Sequence, residues 1–310
     1  MHILVLGTGA VGGYFGARLA AVGKRVTFVA RGAHKAAIER DGLRVISPNG
    51  SLRLFYVKVV DQPARVGPVD LVLVAVKLWS LEAALESCRP ILKPETGVIP
   101  VQNGVEAPDI IARILGPEHA CGGVAYIGGR IERPGVIRHT GTLARLVFGE
   151  RDGSRSERLA VLEQAAQEAE FNATLSPEID VELWRKFVFL APMAGSTAFR
   201  RDPIGAVLAD AEGRALFEAL VAETAAVGRA RAVALPGGLE EQTLAFARGL
   251  PFEMRSSMLG DLEAGNRLEL DWLTGAVVRL GAEAGVPTPR SGEVYAALAP
   301  LKDGAGPAGG

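Results

Sequence analysis

The feature that most constrains this chain is a glycine-rich turn between a predicted strand and a predicted helix. Residues 2–7, HILVLG, form a short apolar run of the kind that a strand buried on both faces shows. The run continues into GTGAVGG, where Gly7, Gly9 and Gly12 satisfy the spacing G-x-G-x-x-G, and then into helical spacing that stops at Gly23. A strand, a glycine turn and a helix in this order predict a dinucleotide-binding turn.

The three glycines have separate physical roles in such a turn. Gly7 allows the tight bend, Gly9 lets the backbone approach a pyrophosphate, and Gly12 permits close packing of the helix on the strand. The start of the helix supplies free N–H groups and a favourable dipole for phosphate. The residues predicted to contact the cofactor are Gly7, Thr8, Gly9, Ala10, Val11 and Gly12. The alternative, a glycine-rich turn without a ligand, is disfavoured by the surrounding strand and helix.

The first half of the chain continues to alternate between strands and helices. Buried strands are predicted within 25–31, 69–77 and 97–104, and a hairpin over 43–60 with PNG at its turn. Repeated strand–helix units predict a parallel, doubly wound sheet of the Rossmann type. A last strand is predicted at FNATLS, and helical spacing dominates after it.

The chain is therefore predicted to have two domains. Residues 1–177 are expected to form an NADP(H)-binding α/β domain, and residues 178–300 an all-α domain that carries the substrate and catalytic groups. Residues 301–310, LKDGAGPAGG, are expected to be a disordered tail. The active site is expected in a cleft between the two domains.

The end of the second strand indicates which dinucleotide binds. An NAD site usually has an Asp or Glu there, whereas an NADP site has room and positive charge. This chain has Arg31 at that place, Lys35 close behind it and no acidic residue before Glu39. A guanidinium pairs well with a 2′-phosphate, so NADP(H) is favoured over NAD(H). The alternative for both cations is an ordinary solvated surface position.

Two more strand ends belong to the same predicted edge of the sheet. Lys77 ends VAVK and Asn103 ends PVQN. Ligands of open α/β sheets bind beyond the carboxyl ends of the strands, which makes both residues candidates for the site. Taken singly, Lys77 could be a surface residue that opens a helix, and Asn103 a turn former before Gly104.

One lysine lies in an apolar segment of the second half. Lys186 occurs within VELWRKFVFLAPMAGSTAF, residues 181–199, and shares one helical face with Leu190 and Ala194. Its amine could reach water from the rim of a core helix, or it could face an active site. Glu269, between leucines in RLELD, is a second charged residue in an apolar setting. Desolvation would lower the lysine pKa and a nearby carboxylate would oppose that shift.

Composition excludes several classes of function. The formal net charge of −1 gives no sign of a nucleic-acid or anionic-membrane surface. Two cysteines are too few for a disulfide framework and fit a reducing cytoplasm. The four scattered histidines indicate no metal site. The apolar N-terminus lacks a basic region and is broken by glycines, and no run is long enough to span a membrane, so a soluble protein is expected.

Together these motifs resemble the ketopantoate reductase (2-dehydropantoate 2-reductase) family over nearly the whole chain. In chain order they are GTGAVGG, Arg31, VAVK with Lys77, QNG with Asn103, WRKFV with Lys186, SSML with Ser257 and RLELD with Glu269. The resemblance implies NADPH-dependent reduction of a 2-oxo acid to a 2-hydroxy acid, and specifically of ketopantoate to pantoate in pantothenate and coenzyme A biosynthesis. It allows a monomer or a homodimer.

The resemblance also implies roles for individual residues. Lys186 and Glu269 would be catalytic, and Lys186 would protonate the carbonyl oxygen of the substrate. Glu269 and Ser257 would hold substrate hydroxyl and carboxylate groups. Asn103 would lie near both nicotinamide and substrate, and Lys77 would contact the cofactor.

One departure from the family pattern concerns the substrate. The family usually has asparagines one and two turns after the lysine, where this chain has Leu190 and Ala194, with Pro192 between them. A more apolar 2-oxo acid or another carbonyl compound is therefore an alternative substrate, unless polar groups such as Ser196 or Thr197 compensate. A second alternative is an NADP(H) sensor without catalysis, against which Lys186 and Glu269 argue.

Overall fold

The computed structural model describes residues 1–304, and residues 305–310 lie outside the described part. The chain divides into two compact units. The first comprises residues 1–102 and 106–182, and the second comprises residues 103–105 and the chain from residue 183 onward.

The first unit contains ten strands and five complete helices within these residues. The strands are β1 (His2–Leu6), β2 (Arg25–Val29), β3 (Leu43–Ile46), β4 (Leu52–Leu54), β5 (Lys58–Val60), β6 (Val69–Val74), β7 (Leu92–Pro100), β8 (Cys121–Arg133), β9 (Val136–Glu150) and β10 (Asn172–Leu175). The helices are α1 (Ala10–Ala21), α2 (Gly32–Asp41), α3 (Leu81–Glu86), α4 (Ala107–Leu115) and α5 (Glu157–Glu168).

Five strands of this unit form the parallel sheet that the sequence predicts. Their order is β5-β2-β1-β6-β7, and each neighbouring pair is parallel. β1 is central, and all five of its residues are buried, which explains its continuous apolar sequence. The chain order reverses at β1, because β2 lies on one side of it and β6 on the other. Such a reversal is where ligands of doubly wound sheets bind.

A second sheet was not predicted from the sequence. Its order is β10-β9-β3-β4, and β8 pairs with β9 as a long antiparallel hairpin. The predicted hairpin over 43–60 is correct for β3 and β4, which are antiparallel. It is wrong for β5, which joins the first sheet beside β2. Residues 43–60 therefore contribute to both sheets.

The second unit is helical, as predicted. The helices are α6 (Ile179–Arg200), which begins in the first unit, α7 (Ile204–Ala209), α8 (Ala211–Ala230), α9 (Leu239–Arg248), α10 (Ser257–Glu263), α11 (Thr274–Ala284) and α12 (Pro289–Leu298). Helices α7 and α10 are too short to show clear periodicity and were not predicted. α6 continues through Pro192, and its Gly195 faces Thr274 of α11 and Leu220 of α8, where any larger side chain would crowd them.

The predicted disordered tail begins too early. Leu301 ends a short 3₁₀ turn, Ala299–Leu301, and the Lys302 carbonyl accepts a hydrogen bond from the Leu268 N–H at 2.8 Å. The Lys302 ammonium lies 3.0 Å from a carboxylate oxygen of Asp271. These contacts attach residues 301 and 302 to the helical unit, whereas 305–310 lie outside the described residues.

Two features are absent from residues 1–304. No helix in this range is both long enough and apolar enough to cross a membrane. No group of three or more His, Cys, Asp or Glu side chains there is arranged to hold a metal ion.

A buried ion pair stabilises the first unit where β9 leads towards α5. Glu150 is only 7% exposed, and it accepts hydrogen bonds from Arg158 Nε and Nη2, both at 2.7 Å, and from the Ser156 hydroxyl. Burial by itself would raise the Glu150 pKa, but the Arg158 and Ser156 hydrogen bonds outweigh it and hold the pKa below its usual value of 4.5. The pair therefore stabilises the fold above that pH, and this stabilisation is lost as the pH falls.

We expect Arg158→Ala to lower the free energy of unfolding by about 3 kcal/mol at neutral pH, because it leaves Glu150 buried without its cation. The difference from the unaltered protein should shrink as the pH falls below 4.5 and through the lowered pKa of Glu150, where the carboxylate takes up a proton. Urea unfolding at pH 7 and pH 4 measures both effects. Arg155→Ala is the matched control, because Arg155 is 66% exposed and pairs with Glu163 at the surface. Equal losses in the two variants would contradict the expectation.

Candidate functional site

The glycine turn after β1 has the geometry that a dinucleotide requires. Gly7 has φ +104°, and a Cβ there would lie 2.8 Å from the Val76 nitrogen. A Cβ on Gly12 would lie 2.3 Å from the Gly7 carbonyl oxygen. By contrast, nothing lies within 4 Å of a Cβ built on Gly9. The turn is thus tight at Gly7 and Gly12 and open at Gly9, where the backbone must approach a ligand.

The start of α1 is suited to an anion. Gly9 is the N-cap residue and has no side chain with which to cap the first N–H groups of the helix. Gly9, Ala10 and Val11 are partly exposed, whereas Thr8 is buried and its hydroxyl donates to the Val29 carbonyl at 2.9 Å. Open N–H donors at the positive end of a helix fit the pyrophosphate of a dinucleotide. The residues present therefore fit this cofactor.

Arg31 lies at the end of β2, on the other side of β1 from β6. It is the exposed N-cap residue of α2, and no described residue forms an ion pair with it. Lys35 differs, because its ammonium lies 2.7 Å from Glu39 one turn further along α2. Of the two cations noted in the sequence, Arg31 is therefore the better placed to bind a phosphate.

His34 is a contact of the glycine turn that sequence reasoning missed. Its Nδ1 accepts a hydrogen bond from the Gly135 N–H at 3.1 Å, which links α2 to the turn between β8 and β9. Burial lowers the pKa of His34, and the adjacent backbone of Thr8 opposes this shift. The imidazole is thus kept neutral beside the start of the glycine turn. Apart from its position shortly after Arg31, the sequence gives no signal that His34 lies beside the glycine turn.

The carboxyl ends of β1, β6 and β7 lie side by side. The Ala75 N–H donates to the Leu6 carbonyl at 2.8 Å, and the Val101 N–H donates to the Val74 carbonyl at 2.9 Å. Lys77, just beyond β6, is exposed, and its ammonium lies 5.5 Å from the ring centroid of Trp79.

Gln102 lies at the same edge, just past β7, and sequence reasoning also missed it. Its side-chain Oε1 and Nε2 are both buried, and neither has a hydrogen-bond partner within residues 1–304. A buried amide without partners is unusual, because most buried polar groups are hydrogen-bonded. The only sequence signal is its position beside Asn103 at the end of a buried strand.

Lys186 and Asn103 lie together in the second unit, although 83 residues separate them in the chain. The Lys186 ammonium donates to the Asn103 Oδ1 at 3.0 Å. Lys186 is half-buried, on α6 beside the buried Phe187 and Val188. Desolvation lowers the pKa of Lys186 to about 8, and the charge of Glu269 partly opposes this shift. The amine is therefore neither an ordinary surface lysine nor a neutral core group.

Glu269 and Ser257 differ in exposure. Glu269 is 6% exposed, at the entrance to the 3₁₀ turn Leu270–Trp272. Ser257 is exposed at the first position of α10, whereas its neighbour Ser256 is the N-cap residue and accepts the Leu259 N–H at 3.0 Å. The structure thus assigns helix capping to Ser256 and leaves the hydroxyl of Ser257 at the surface.

The helical face beyond Lys186 is apolar. Leu190 is half-buried and Ala194 is 1% exposed. The hydroxyl of Thr197 donates to the Met193 carbonyl at 2.6 Å and also contacts the Ser256 hydroxyl at 2.7 Å. These bonds hold the Thr197 hydroxyl inside the helical unit.

Lys186 and Asn103 together can stabilise negative charge that develops on a substrate oxygen, and the charge of Glu269 helps to keep Lys186 protonated. A lysine with a pKa near neutrality is a more effective proton donor than one with the usual pKa of 10.5. Because Asn103 accepts from Lys186 through Oδ1, its Nδ2 group supplies donors only. The set therefore presents cationic and amide donors of the kind that bind a carbonyl oxygen in a reduction.

Comparison with known proteins gives a consistent family match over both units. The family profile "Ketopantoate reductase PanE/ApbA" matches residues 3–153, and the profile for its C-terminal part matches residues 178–302. A 2-dehydropantoate 2-reductase of Mesorhizobium japonicum is 33% identical, covering 96% of each chain. The Bacillus subtilis protein YkpB, named only as an oxidoreductase, is 32% identical over 96% of this chain and 98% of its own.

A solved structure shows the same fold. The crystal structure of a PanE/ApbA family ketopantoate reductase from Ralstonia eutropha superposes with a TM-score of 0.89 at 29% identity, covering 97% of this chain and 98% of that one. The parallel-sheet unit followed by a helical unit is thus shared with this family.

We expect Glu269→Gln to lower the pKa of Lys186 below about 8, because it removes the charge that raises this pKa. The pH dependence of Lys186 acylation, followed by mass spectrometry, measures the shift. Glu263→Gln, a change on the exposed face of α10, is the control and should leave the pKa unchanged. An unchanged or raised Lys186 pKa in the Glu269 variant would show that this carboxylate does not act on the amine.

Proposed function

Because the chain belongs to the ketopantoate reductase family, we propose that it reduces a 2-oxo acid to the 2-hydroxy acid with NADPH as the hydride donor. Ketopantoate, which would yield pantoate for pantothenate and coenzyme A biosynthesis, is the first candidate substrate. The observation that supports the proposal is the Lys186 ammonium, which is hydrogen-bonded to Asn103 and whose pKa is lowered to about 8 by desolvation against the opposing charge of Glu269.

In this proposal Lys186 is the proton donor. Its ammonium hydrogen-bonds the substrate carbonyl oxygen, polarises the carbonyl and gives up a proton as negative charge develops on the oxygen. Glu269 keeps enough of the lysine protonated near neutral pH, because its charge opposes the effect of desolvation. Asn103 orients the ammonium through Oδ1 and directs its Nδ2 donors at the substrate.

The cofactor is held, in this proposal, along the carboxyl edge of the parallel sheet. The start of α1 binds the pyrophosphate, and Arg31 binds the 2′-phosphate through charge-assisted hydrogen bonds. Lys77 contributes positive charge at the end of β6 and is the second cation in contact with the cofactor. The bound nicotinamide supplies the hydride, while the protein supplies orientation and charge.

The substrate is a small 2-oxo acid whose carboxylate and hydroxyl groups are held by polar side chains. We assign this holding role to Ser257 and Glu269. We place the reaction in the cytoplasm, since Cys88 and Cys121 are both buried as free thiols.

A second candidate is the reduction of a more apolar 2-oxo acid. Leu190 and Ala194 support it, since they present no amide where the family usually has two. Thr197 does not substitute for those amides, because its hydroxyl is committed to Met193 and Ser256. A substrate whose side chain lacks a hydroxyl group would need no polar partner from Leu190 or Ala194.

Steady-state assays with NADPH decide between the two candidates. The panel contains ketopantoate, its analogue without the hydroxyl group, and 2-oxo acids with larger alkyl or aryl groups. Ketopantoate as the best substrate by kcat/KM supports the first candidate. Preference for the apolar acids, reversed in the Leu190→Asn, Ala194→Asn double variant, supports the second. Absence of turnover with every 2-oxo acid would contradict both.

We expect Lys186→Met to lower kcat by about 10²–10⁴-fold while leaving NADPH affinity within a few-fold, because the proton donor is lost and the glycine turn is not. In the unaltered protein, reduction should slow as the pH rises through about 8, where Lys186 loses its proton. Stopped-flow absorbance at varied pH and NADPH fluorescence titration measure these quantities. Arg185→Met, at the exposed neighbouring position, is the control. Wild-type turnover in the Lys186 variant would remove this residue from the mechanism.

We expect Arg31→Gln to weaken NADPH binding about tenfold or more and to leave NADH binding nearly unchanged, because only NADPH carries the 2′-phosphate. Fluorescence titration with both nucleotides at fixed ionic strength measures the ratio. Arg40→Gln, on the same helix and paired with Asp41, should change neither affinity. Equal weakening of both nucleotides by the Arg31 change would contradict the assignment.

A further inference from the structure

We propose that Gln102 binds the carboxamide group of the nicotinamide ring and so fixes which part of the sheet edge the ring occupies. The inference rests on the proposed cofactor but not on the identity of the substrate. Its starting observation is the Gln102 amide, in which Oε1 and Nε2 are both buried and neither has a partner within residues 1–304.

The position of Gln102 follows from hydrogen bonds along the sheet edge. The Ala75 N–H bonds the Leu6 carbonyl, and the Val101 N–H bonds the Val74 carbonyl. The ends of β1, β6 and β7 are therefore level with each other. Gln102 lies two strands from the glycine turn, or about 10 Å at the usual spacing of neighbouring strands.

The direction of the cofactor along this edge follows from Arg31. The 2′-phosphate belongs to the adenosine half, and Arg31 lies at the end of β2, on one side of β1. The pyrophosphate binds at β1 itself, at the start of α1. The nicotinamide half must then extend to the opposite side, over β6 and towards β7, where Gln102 lies.

The chemistry of the amide selects the ligand group. Gln102 offers two donors on Nε2 and an acceptor on Oε1, and both atoms lack partners. The nicotinamide carboxamide also has both a donor and an acceptor, so it satisfies both atoms. A substrate carboxylate has only acceptors, so it would leave Oε1 unpaired. The carboxamide is therefore the better match.

The absence of protein partners also predicts an unusual stability effect. Replacing a buried amide that makes hydrogen bonds to the protein normally destabilises the fold. Here Gln102→Leu, which is close in size, removes a buried polar group that has no bonds to lose. The ligand-free variant should melt at the same temperature as the unaltered protein or higher, whereas a structural role for Gln102 would lower the melting temperature.

The test measures binding by calorimetry, without turnover, for three ligands. These are NADP⁺, its 3-acetylpyridine analogue, in which a methyl group replaces the amide NH₂, and 2′-phospho-ADP-ribose, which lacks the nicotinamide. We expect Gln102→Leu to weaken NADP⁺ about tenfold and to leave 2′-phospho-ADP-ribose unchanged. The preference of the unaltered protein for NADP⁺ over the acetylpyridine analogue should disappear in this variant.

Controls separate the possible outcomes. Gln167→Leu, on the exposed face of α5, should change no affinity. Gln102→Asn serves as a second variant if the leucine protein does not fold, and should show the same selective loss for NADP⁺. Unchanged NADP⁺ affinity, equal weakening of 2′-phospho-ADP-ribose, or a raised KM for the oxo acid alone would overturn the inference.

These results also distinguish this inference from the proposed function. Binding of NADP⁺ that does not depend on Gln102 would overturn the inference alone. The protein could prefer NADP⁺ over the acetylpyridine analogue through Gln102 and yet reduce no 2-oxo acid. That result would overturn the proposed substrate class alone. Failure of the unaltered protein to bind any nicotinamide dinucleotide would overturn both.

Discussion

Desolvation of the Lys186 ammonium is the constraint on which the proposed chemistry depends. Placing an amine among the apolar residues of α6 lowers its pKa to about 8, and only the charge of Glu269 prevents a larger shift. Burial of an ammonium costs free energy, and such buried charges are found mainly at functional sites. A fully solvated lysine keeps its usual high pKa and is a weak acid near neutral pH, whereas desolvation makes it a stronger one. In the proposed reaction, the hydrogen bond to Asn103 would orient the ammonium that delivers the proton. Lys186, Glu269 and Asn103, which are far apart in the chain, thus interact as one polar cluster.

Some polar groups at the carboxyl edge of the parallel sheet lack partners within the described residues. The glycine turn leaves its N–H groups uncapped, and Gln102 keeps an amide buried without partners. The buried amide costs free energy in the ligand-free protein, and a bound dinucleotide that supplies the missing donor and acceptor would offset this cost. Elsewhere in the first unit, the buried carboxylate of Glu150 is paired with Arg158 and Ser156.

The apolar face of α6 separates reaction type from substrate choice. In the proposed reaction, Lys186, Asn103 and Glu269 act on the oxo group, and this role does not depend on the substrate side chain. Leu190 and Ala194 do not take part in that arrangement, so they can vary with the substrate. The family match accordingly supports an oxidoreductase that acts on CH-OH groups, and we propose that this face decides between ketopantoate and a more apolar acid. Thr197 is held by Met193 and Ser256 and cannot restore the missing polarity.

The sequence by itself determined the elements whose signals are local. An apolar run, a glycine turn and helical spacing specify β1 and α1, and periodicity specifies α6 with Lys186 on it, because backbone sterics and burial act over a few residues. Only the tertiary structure decided the second sheet, in which β9 pairs with β3, β8 and β10, since register depends on which distant strands meet. The same holds for the Lys186–Asn103 bond and for the unpartnered amide of Gln102. Whether a polar atom is paired is a property of its surroundings in space, and the sequence around it carries no signal for those surroundings.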